Sequence, residues 1–182
     1  DVVVASTGVI GQRLPVECIE QHLPEIQLDA DGSEKANLAI MTTDTKTKTA
    51  AVEFTVGGKV CRIGGICKGS GMIHPNMGTM LSFLTTDCAI THEMLTEALQ
   101  ENVRKTYNRV TVDGDTSTND MCVVLANGKA GNELIEWQDE DYQAFCKALN
   151  EVNTRLARQI AADGEGATKL VTCTVKNSRS EE

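Results

Sequence analysis

The spacing of apolar residues along the chain predicts three helices. Between residues 139 and 161, apolar side chains recur every three or four positions, which places them on one face of a long helix. These side chains are Tyr142, Phe145, Cys146, Leu149, Val152, Leu156 and Ile160. A second helix is predicted after Thr91, because threonine caps helix starts and an apolar face follows it. That face consists of Leu95, Ala98, Leu99 and Val103. A shorter helix is predicted over residues 15–23, with Pro15 in its first turn.

Short apolar runs between polar and glycine-rich stretches predict strands. They lie at residues 2–5, 38–41, 51–56, 59–66, 80–84, 121–126 and 167–175. The pair Gly57-Gly58 separates two of these runs and predicts a tight hairpin.

The predicted helices need a sheet on which to bury their apolar faces. The pattern therefore predicts an α+β fold, with helices layered on mixed β-sheets. No repeat or linker divides the chain, so we expect residues 1–182 to form one structural unit.

Composition excludes several function classes. A formal net charge of −9 argues against a nucleic-acid partner, because phosphate binding needs a basic surface. No run reaches the ~18 apolar residues of a membrane span, and no signal peptide is visible. The seven cysteines are scattered without a Cys-x-x-Cys pair, which favours reduced thiols in a cytoplasmic protein.

We expect no bound metal. Asp113, Asp115 and Asp120 lie in one polar loop and suggest a calcium site. An EF-hand loop needs glutamate at its twelfth position, however, and Val124 occupies that place.

The pair Gly78-Thr79 carries the most distinctive candidate chemistry. If the Thr79 hydroxyl attacks the carbonyl of Gly78, the chain divides and Thr79 gains a free α-amine. A threonine with a free amine carries a general base beside its nucleophile. On spacing alone, the same pair is also typical of a turn before a strand.

Five segments together resemble bacterial ornithine acetyltransferases, self-processing enzymes of arginine biosynthesis. They are residues 5–11 (ASTGVIG), 39–45 (AIMTTDT), 68–80 (KGSGMIHPNMGTM), 112–120 (VDGDTSTND) and 164–169 (GEGATK). Glycine stands at position 78, where the family more often has alanine. The resemblance covers nearly all of the chain but only the middle of the family's length, so we expect a fragment. It implies the αββα fold shared with related self-processing aminopeptidases.

The resemblance also implies roles for individual residues. Cleavage after Gly78 would end one chain at residue 78 and begin the next at residue 79. Thr79 would then be the nucleophile and acetyl carrier, and it would also contact substrate. Thr7 and Gly8 match the oxyanion hole of the family. The matched substrate contacts are Thr42, Lys68 and Glu165, with Lys68 suited to a carboxylate and Glu165 to an amine.

The implied activity is acetyl transfer from N-acetylornithine to glutamate by a ping-pong route. No cofactor is expected, although some family members also accept acetyl-CoA. The expected partners are small amino-acid substrates, and the two cleavage products would assemble as a hetero-oligomer. Residues 1–182 alone are expected to be inactive. The alternatives are a self-processing aminopeptidase or amidase of related fold, and a non-catalytic excised domain.

Overall fold

A four-stranded mixed sheet organises the chain. The structure is a computed structural model, and it describes residues 2–74 and 80–180. Its strands are β1 (Lys48–Val56), β2 (Lys59–Lys68), β3 (Leu81–Thr86) and β4 (Met121–Ala126), adjacent in that order. The pairs β1–β2 and β2–β3 are antiparallel, and β3–β4 is parallel. The helices are α1 (Val16–His22), α2 (Gly32–Ala39), α3 (His92–Lys105) and α4 (Glu140–Ala162), with short 3-10 turns at Leu23–Glu25 and Tyr107–Arg109.

The predicted hairpin is confirmed. Strands β1 and β2 pair around Gly57 and Gly58, from Val56 opposite Lys59 to Lys48 opposite Cys67, with Val52 opposite Ile63. Both glycines have positive φ, 52° and 76°, a region that other residues rarely adopt. A two-residue turn of this kind matches the right-handed twist of the strands it joins.

Helix α4 confirms the longest predicted helix and covers β1 and β2. It begins after Asp139, whose carboxylate accepts a 2.9 Å hydrogen bond from the amide of Tyr142. Its buried face includes Phe145, Leu149 and several neighbours, each almost inaccessible to solvent. The ring of Phe145 meets Phe54 of β1 edge to face, with centroids 6.0 Å apart. The predicted apolar stripe therefore forms the centre of the core.

Helix α3 packs beside α4 and is also confirmed. The Thr91 hydroxyl caps it by accepting a 3.4 Å hydrogen bond from the amide of Met94. Within residues 2–74 and 80–180, no helix is long and apolar enough to cross a membrane.

The α+β class is confirmed by this mixed sheet and its helices. Phe83 and Val123, on the sheet face away from α4, remain partly exposed. The described ranges contain one sheet and one helical layer over it. The second sheet and second helical layer of an αββα arrangement stay a prediction.

Three predicted strands are wrong. Residues 2–5 form an exposed coil, in which Val4 is 80% exposed. Residues 167–175 are likewise coil, and Val171 is 82% exposed. A strand needs a hydrogen-bonded neighbour, and neither segment has one within the described chain. Leu38 and Ala39 instead end helix α2, and Ile40 and Met41 follow it, because a short apolar run fits either structure.

Candidate active site at the end of strand β2

Lys68 is the last residue of β2 and is only 2% exposed. Its ammonium donates a 3.3 Å hydrogen bond to Oγ1 of Thr42, which lies on an exposed loop. Burial lowers the pKa of Lys68, and the carboxylates of Asp44 and Asp120 partly oppose that shift. The structure therefore brings two of the predicted substrate contacts together, with a buried ammonium against the hydroxyl of an exposed residue.

A second buried lysine, Lys48, lies at the start of β1 and was missed by the sequence analysis. Its ammonium donates to Oδ1 of Asp44 at 2.6 Å, to Oδ2 of Asp163 at 2.7 Å and to the carbonyl of Lys46 at 3.2 Å. An ammonium has three donors, so Lys48 is saturated by the protein. Lys68 differs, because Thr42 is its one hydrogen-bond partner among the described residues. Two N–H donors of Lys68 are therefore open to a ligand or to the segment that is not described.

Asp44 connects the two lysines. Besides Lys48, its carboxylate accepts the amide of Gly69 at 2.7 Å and the amide of Thr42 at 3.2 Å. Burial alone would raise the pKa of Asp44, but these hydrogen bonds and the Lys48 charge outweigh burial and lower it. Asp44 therefore stays ionised, and it fixes the backbone on both sides of the Lys68–Thr42 contact.

Glu165 is brought to the same end of β2 through Ser70. The Ser70 hydroxyl donates to the carbonyl of Asp163 at 2.7 Å, and the amide of Glu165 donates to the carbonyl of Ser70 at 2.8 Å. The carboxylate of Glu165 lies against Gly71, where any Cβ would collide with it. A side chain at position 71 would therefore require the exposed Glu165 carboxylate to move away. Lys68, Thr42 and Glu165 together offer a cation, a hydroxyl and an exposed carboxylate.

Gly78 and Thr79, the predicted cleavage pair, lie outside the described residues. On the N-terminal side, Asp113 accepts the amides of Met72 at 2.6 Å and Ile73 at 3.0 Å. On the C-terminal side, Asp120 accepts the amide of Met80 at 2.9 Å.

Asp113 and Asp120, two of the carboxylates in the loop that suggested calcium, thus hold backbone amides on either side of the predicted cleavage pair. Burial raises the pKa of Asp120. No group of three or more potential metal ligands occurs within the described ranges. Residue spacing could not predict that these aspartates bind backbone amides, because an aspartate that does so looks the same in sequence as one that binds a metal ion.

Thr7 and Gly8, the predicted oxyanion pair, lie in the exposed coil before α1. A Cβ added to Gly8 would meet Leu14 of the same segment at 3.9 Å. Within the described chain, no hydrogen bond joins Thr7 or Gly8 to Thr42, Lys68 or Glu165. Their role stays a prediction.

Comparison with known proteins places this chain in a family. A model of the ArgJ family matches residues 1–182, and the chain belongs to that family. It is 51% identical over 180 residues to the arginine biosynthesis bifunctional protein ArgJ of Oceanobacillus iheyensis, covering 97% of this chain and 44% of the relative. It is 49% identical over 178 residues to the ArgJ protein of Lactococcus lactis, covering 98% and 45%. The chain thus spans somewhat less than half the length of these relatives.

Among solved structures, the arginine biosynthesis bifunctional protein ArgJ of Bacillus halodurans is 56% identical in the aligned part. The alignment covers 50% of this chain and 43% of that one, with a TM-score of 0.48.

Proposed function

We propose that the full-length protein containing this segment transfers an acetyl group from N-acetylornithine to glutamate. Membership of the ArgJ family supports this activity. The observation that carries it is the cluster of Lys68, Thr42 and Glu165 at the end of β2. Lys68 and Thr42 suit the carboxylate of an amino acid, and the exposed Glu165 carboxylate suits the side-chain amine of ornithine.

The proposed route begins with self-cleavage. Oγ of Thr79 forms a bond to the carbonyl carbon of Gly78, and the peptide C–N bond breaks to release the amine of Thr79. Water then hydrolyses the resulting ester, so that Gly78 ends in a carboxylate. The freed amine is the general base for the Thr79 hydroxyl in the next step.

Acetyl transfer follows in two half-reactions. Oγ of Thr79 attacks the acetyl carbonyl of N-acetylornithine, and the C–N bond breaks as the ornithine nitrogen takes a proton and leaves. The amine of glutamate then attacks acetyl-Thr79, which restores the hydroxyl and yields N-acetylglutamate. We assign Thr7 and Gly8 to the oxyanion, because a tetrahedral intermediate needs hydrogen-bond donors.

The same proposal covers the setting of the enzyme. The acetyl group is carried on the protein, so the route requires no cofactor, and acetyl-CoA is the alternative donor to assay beside N-acetylornithine. We propose a cytoplasmic hetero-oligomer of the two cleavage products. Two charged groups suited to a free amino acid favour transfer over the alternative peptidase or amidase activity.

The test is mass spectrometry and acetyl-transfer assay of the full-length protein. Wild type should divide between residues 78 and 79 and should form N-acetylglutamate. Thr79→Ala should do neither, whereas Thr79→Ser should retain some cleavage because it keeps a hydroxyl. Cleavage of the alanine variant at the same bond would overturn the self-processing route. Hydrolysis of peptide amides without transfer would favour the peptidase.

A further inference from the structure

The contacts around Asp44 form a closed ring that joins two distant parts of the chain. Asp44 accepts the amide of Thr42, and the Thr42 hydroxyl accepts the ammonium of Lys68. Lys68 is bonded to Gly69, whose amide returns to Asp44 at 2.7 Å. Because every member of the ring constrains the next, the position of Asp44 sets the spacing between the Lys68 ammonium and the Thr42 hydroxyl.

Asp44 is itself held from the other side. Lys48 lies between Asp44 and Asp163, and all three side chains are buried. Asp163 also accepts the amides of Thr45 at 3.0 Å and Lys46 at 3.3 Å, which anchors the loop that carries Asp44. A carboxylate fixed by this many donors loses little further freedom when a ligand binds.

Charge gives the ring a second effect. The charged groups that act on Lys68 are Asp44 and Asp120, which favour its protonated form, and Lys48, which opposes it. Burial also opposes protonation and is the largest influence. The Asp44 carboxylate therefore helps to keep a buried ammonium charged, which a carboxylate-binding site requires.

We propose that Asp44, clamped by Lys48 against Asp163, is a positioning residue that sets the Lys68 ammonium and the Thr42 hydroxyl as one binding site for the substrate carboxylate. This inference rests on the proposed function. It assigns Asp44 no contact with the reacting atoms. It predicts weaker substrate binding when Asp44 changes, with the chemical step largely retained.

The experiment compares Asp44→Asn with Asp163→Asn in the full-length protein. Each variant removes one of the two carboxylate charges that pair with Lys48, but only Asp44 also accepts hydrogen bonds from Thr42 and Gly69. Asp44→Asn should raise KM for N-acetylornithine about tenfold, because the charged hydrogen bonds that position the substrate-binding groups are weakened. It should change kcat by less than about threefold, because Asp44 does not contact the reacting atoms. Asp163→Asn should raise KM by less than about threefold, because Asp44 keeps its charge and its hydrogen bonds from Lys48, Thr42 and Gly69. Equal KM effects in both variants would show that the contacts of Asp44 with Thr42 and Gly69 do not set the site, and would overturn the inference.

The pH dependence of KM on its alkaline side gives a second test, because a purely structural role of Asp44 would leave it unchanged. Loss of the Asp44 charge should make Lys68 lose its proton at lower pH, so KM should begin to rise at lower pH in Asp44→Asn. The same titration is read without substrate by NMR of ¹³Cε-labelled lysine, with the Lys68 signal assigned through Lys68→Arg. An unchanged Lys68 titration in Asp44→Asn would overturn the inference.

The outcomes separate this inference from the proposed function. If wild type transfers acetyl but Asp44→Asn keeps its KM and pH profile, the inference fails and the function stands. If wild type transfers no acetyl, the function fails and the substrate-binding part of the inference fails with it, while the NMR titration still decides whether Asp44 helps to keep Lys68 charged. If Asp44→Asn does not fold, Asp44→Glu keeps the Lys48 ion pair but moves the carboxylate by one methylene. A wild-type KM in Asp44→Glu would then overturn the inference.

Discussion

The polar regions around Lys48 and Lys68 are neighbours in the structure, but they differ in how many hydrogen-bond acceptors surround each ammonium. Lys48 faces Cys67 across the β1–β2 pair, so Lys48 and Lys68 project to opposite faces of the sheet. Both lysines are buried, but Lys48 is saturated by two carboxylates and a carbonyl, whereas Lys68 has one hydroxyl among the described residues. Burial alone therefore does not distinguish Lys48, whose three N–H donors are all used by the protein, from Lys68, which has one hydrogen-bond acceptor among the described residues.

The largest expected effect concerns Lys48. Lys48→Met leaves Asp44 and Asp163 buried together without a cation and should lower the free energy of unfolding by about 4 kcal/mol. Urea unfolding of the 182-residue chain measures this. The combined variant Lys48→Met, Asp44→Asn, Asp163→Asn removes the unpaired charges and should recover much of the loss. A loss below about 1 kcal/mol in the single variant would contradict the structural role of Lys48.

The next effect concerns Lys68 and is functional. In the full-length protein, Lys68→Met should lower kcat/KM for N-acetylornithine about a hundredfold, because a buried charged hydrogen bond to the substrate carboxylate is lost. A neutral acetyl ester lacks that carboxylate and should lose less than about threefold. Equal losses for both substrates would mean that Lys68 supports the nucleophile or the fold and not the substrate.

The sequence predicted the core of the fold more reliably than its ends. Helix α4 and the β1–β2 hairpin were predictable because their apolar spacing and the Gly57-Gly58 turn are local signals that agree with the packing. Residues 2–5 and 167–175 carry an equally apolar pattern. They are coil here because a strand depends on a neighbour that local pattern cannot reveal.

The site was predictable only in part. Lys68, Thr42 and Glu165 came from the family resemblance. The structure joins Thr42 to Lys68 and holds the backbone of Glu165 to Ser70, two residues beyond Lys68. Lys48 sits in the polar run at residues 42–49, where nothing in the sequence marks it as buried. Its role depends on Asp163, 115 positions away, and a contact of that range has no local signature.

The third effect is the loss of stability at acid pH that follows from the Asp163 carboxylate, which pairs with Lys48. Burial alone would raise the pKa of Asp163, but hydrogen bonds from Lys48 and Thr45 outweigh it and lower the pKa to about 2. The folded value is below the ordinary 3.8, so Asp163 contributes stability above about pH 4 and loses it as pH falls towards 2. The contribution is roughly 2 kcal/mol. Urea unfolding at pH 7, 4 and 2 should show this loss in wild type and a flatter profile in Asp163→Asn.

A matched control uses an exposed ion pair. Glu53 lies 3.0 Å from Arg62 on the hairpin, and both side chains are mostly exposed. Glu53→Gln should leave the acid profile as in wild type, because exposed pairs contribute little. If the free energy of unfolding of Asp163→Asn falls between pH 7 and 2 as steeply as that of wild type, the predicted contribution of Asp163 is wrong.

The smallest effect is the change in stability when Lys68 is replaced. It distinguishes the two lysines most directly, because replacing Lys48 should destabilise the chain and replacing Lys68 should stabilise it. Burial lowers the pKa of Lys68, which means that the folded state disfavours its charge. Keeping it protonated therefore costs stability at neutral pH, and that cost fades as pH rises towards the ordinary value of 10.5. Lys68→Met should consequently stabilise the 182-residue chain by about 1 kcal/mol in urea unfolding at pH 7, although it impairs binding. Lys59→Met, at the exposed start of the same strand, should change stability by less than about 0.5 kcal/mol. A loss above 2 kcal/mol in Lys68→Met would place Lys68 with Lys48 as a structural cation, and the contrast between the two regions would fail.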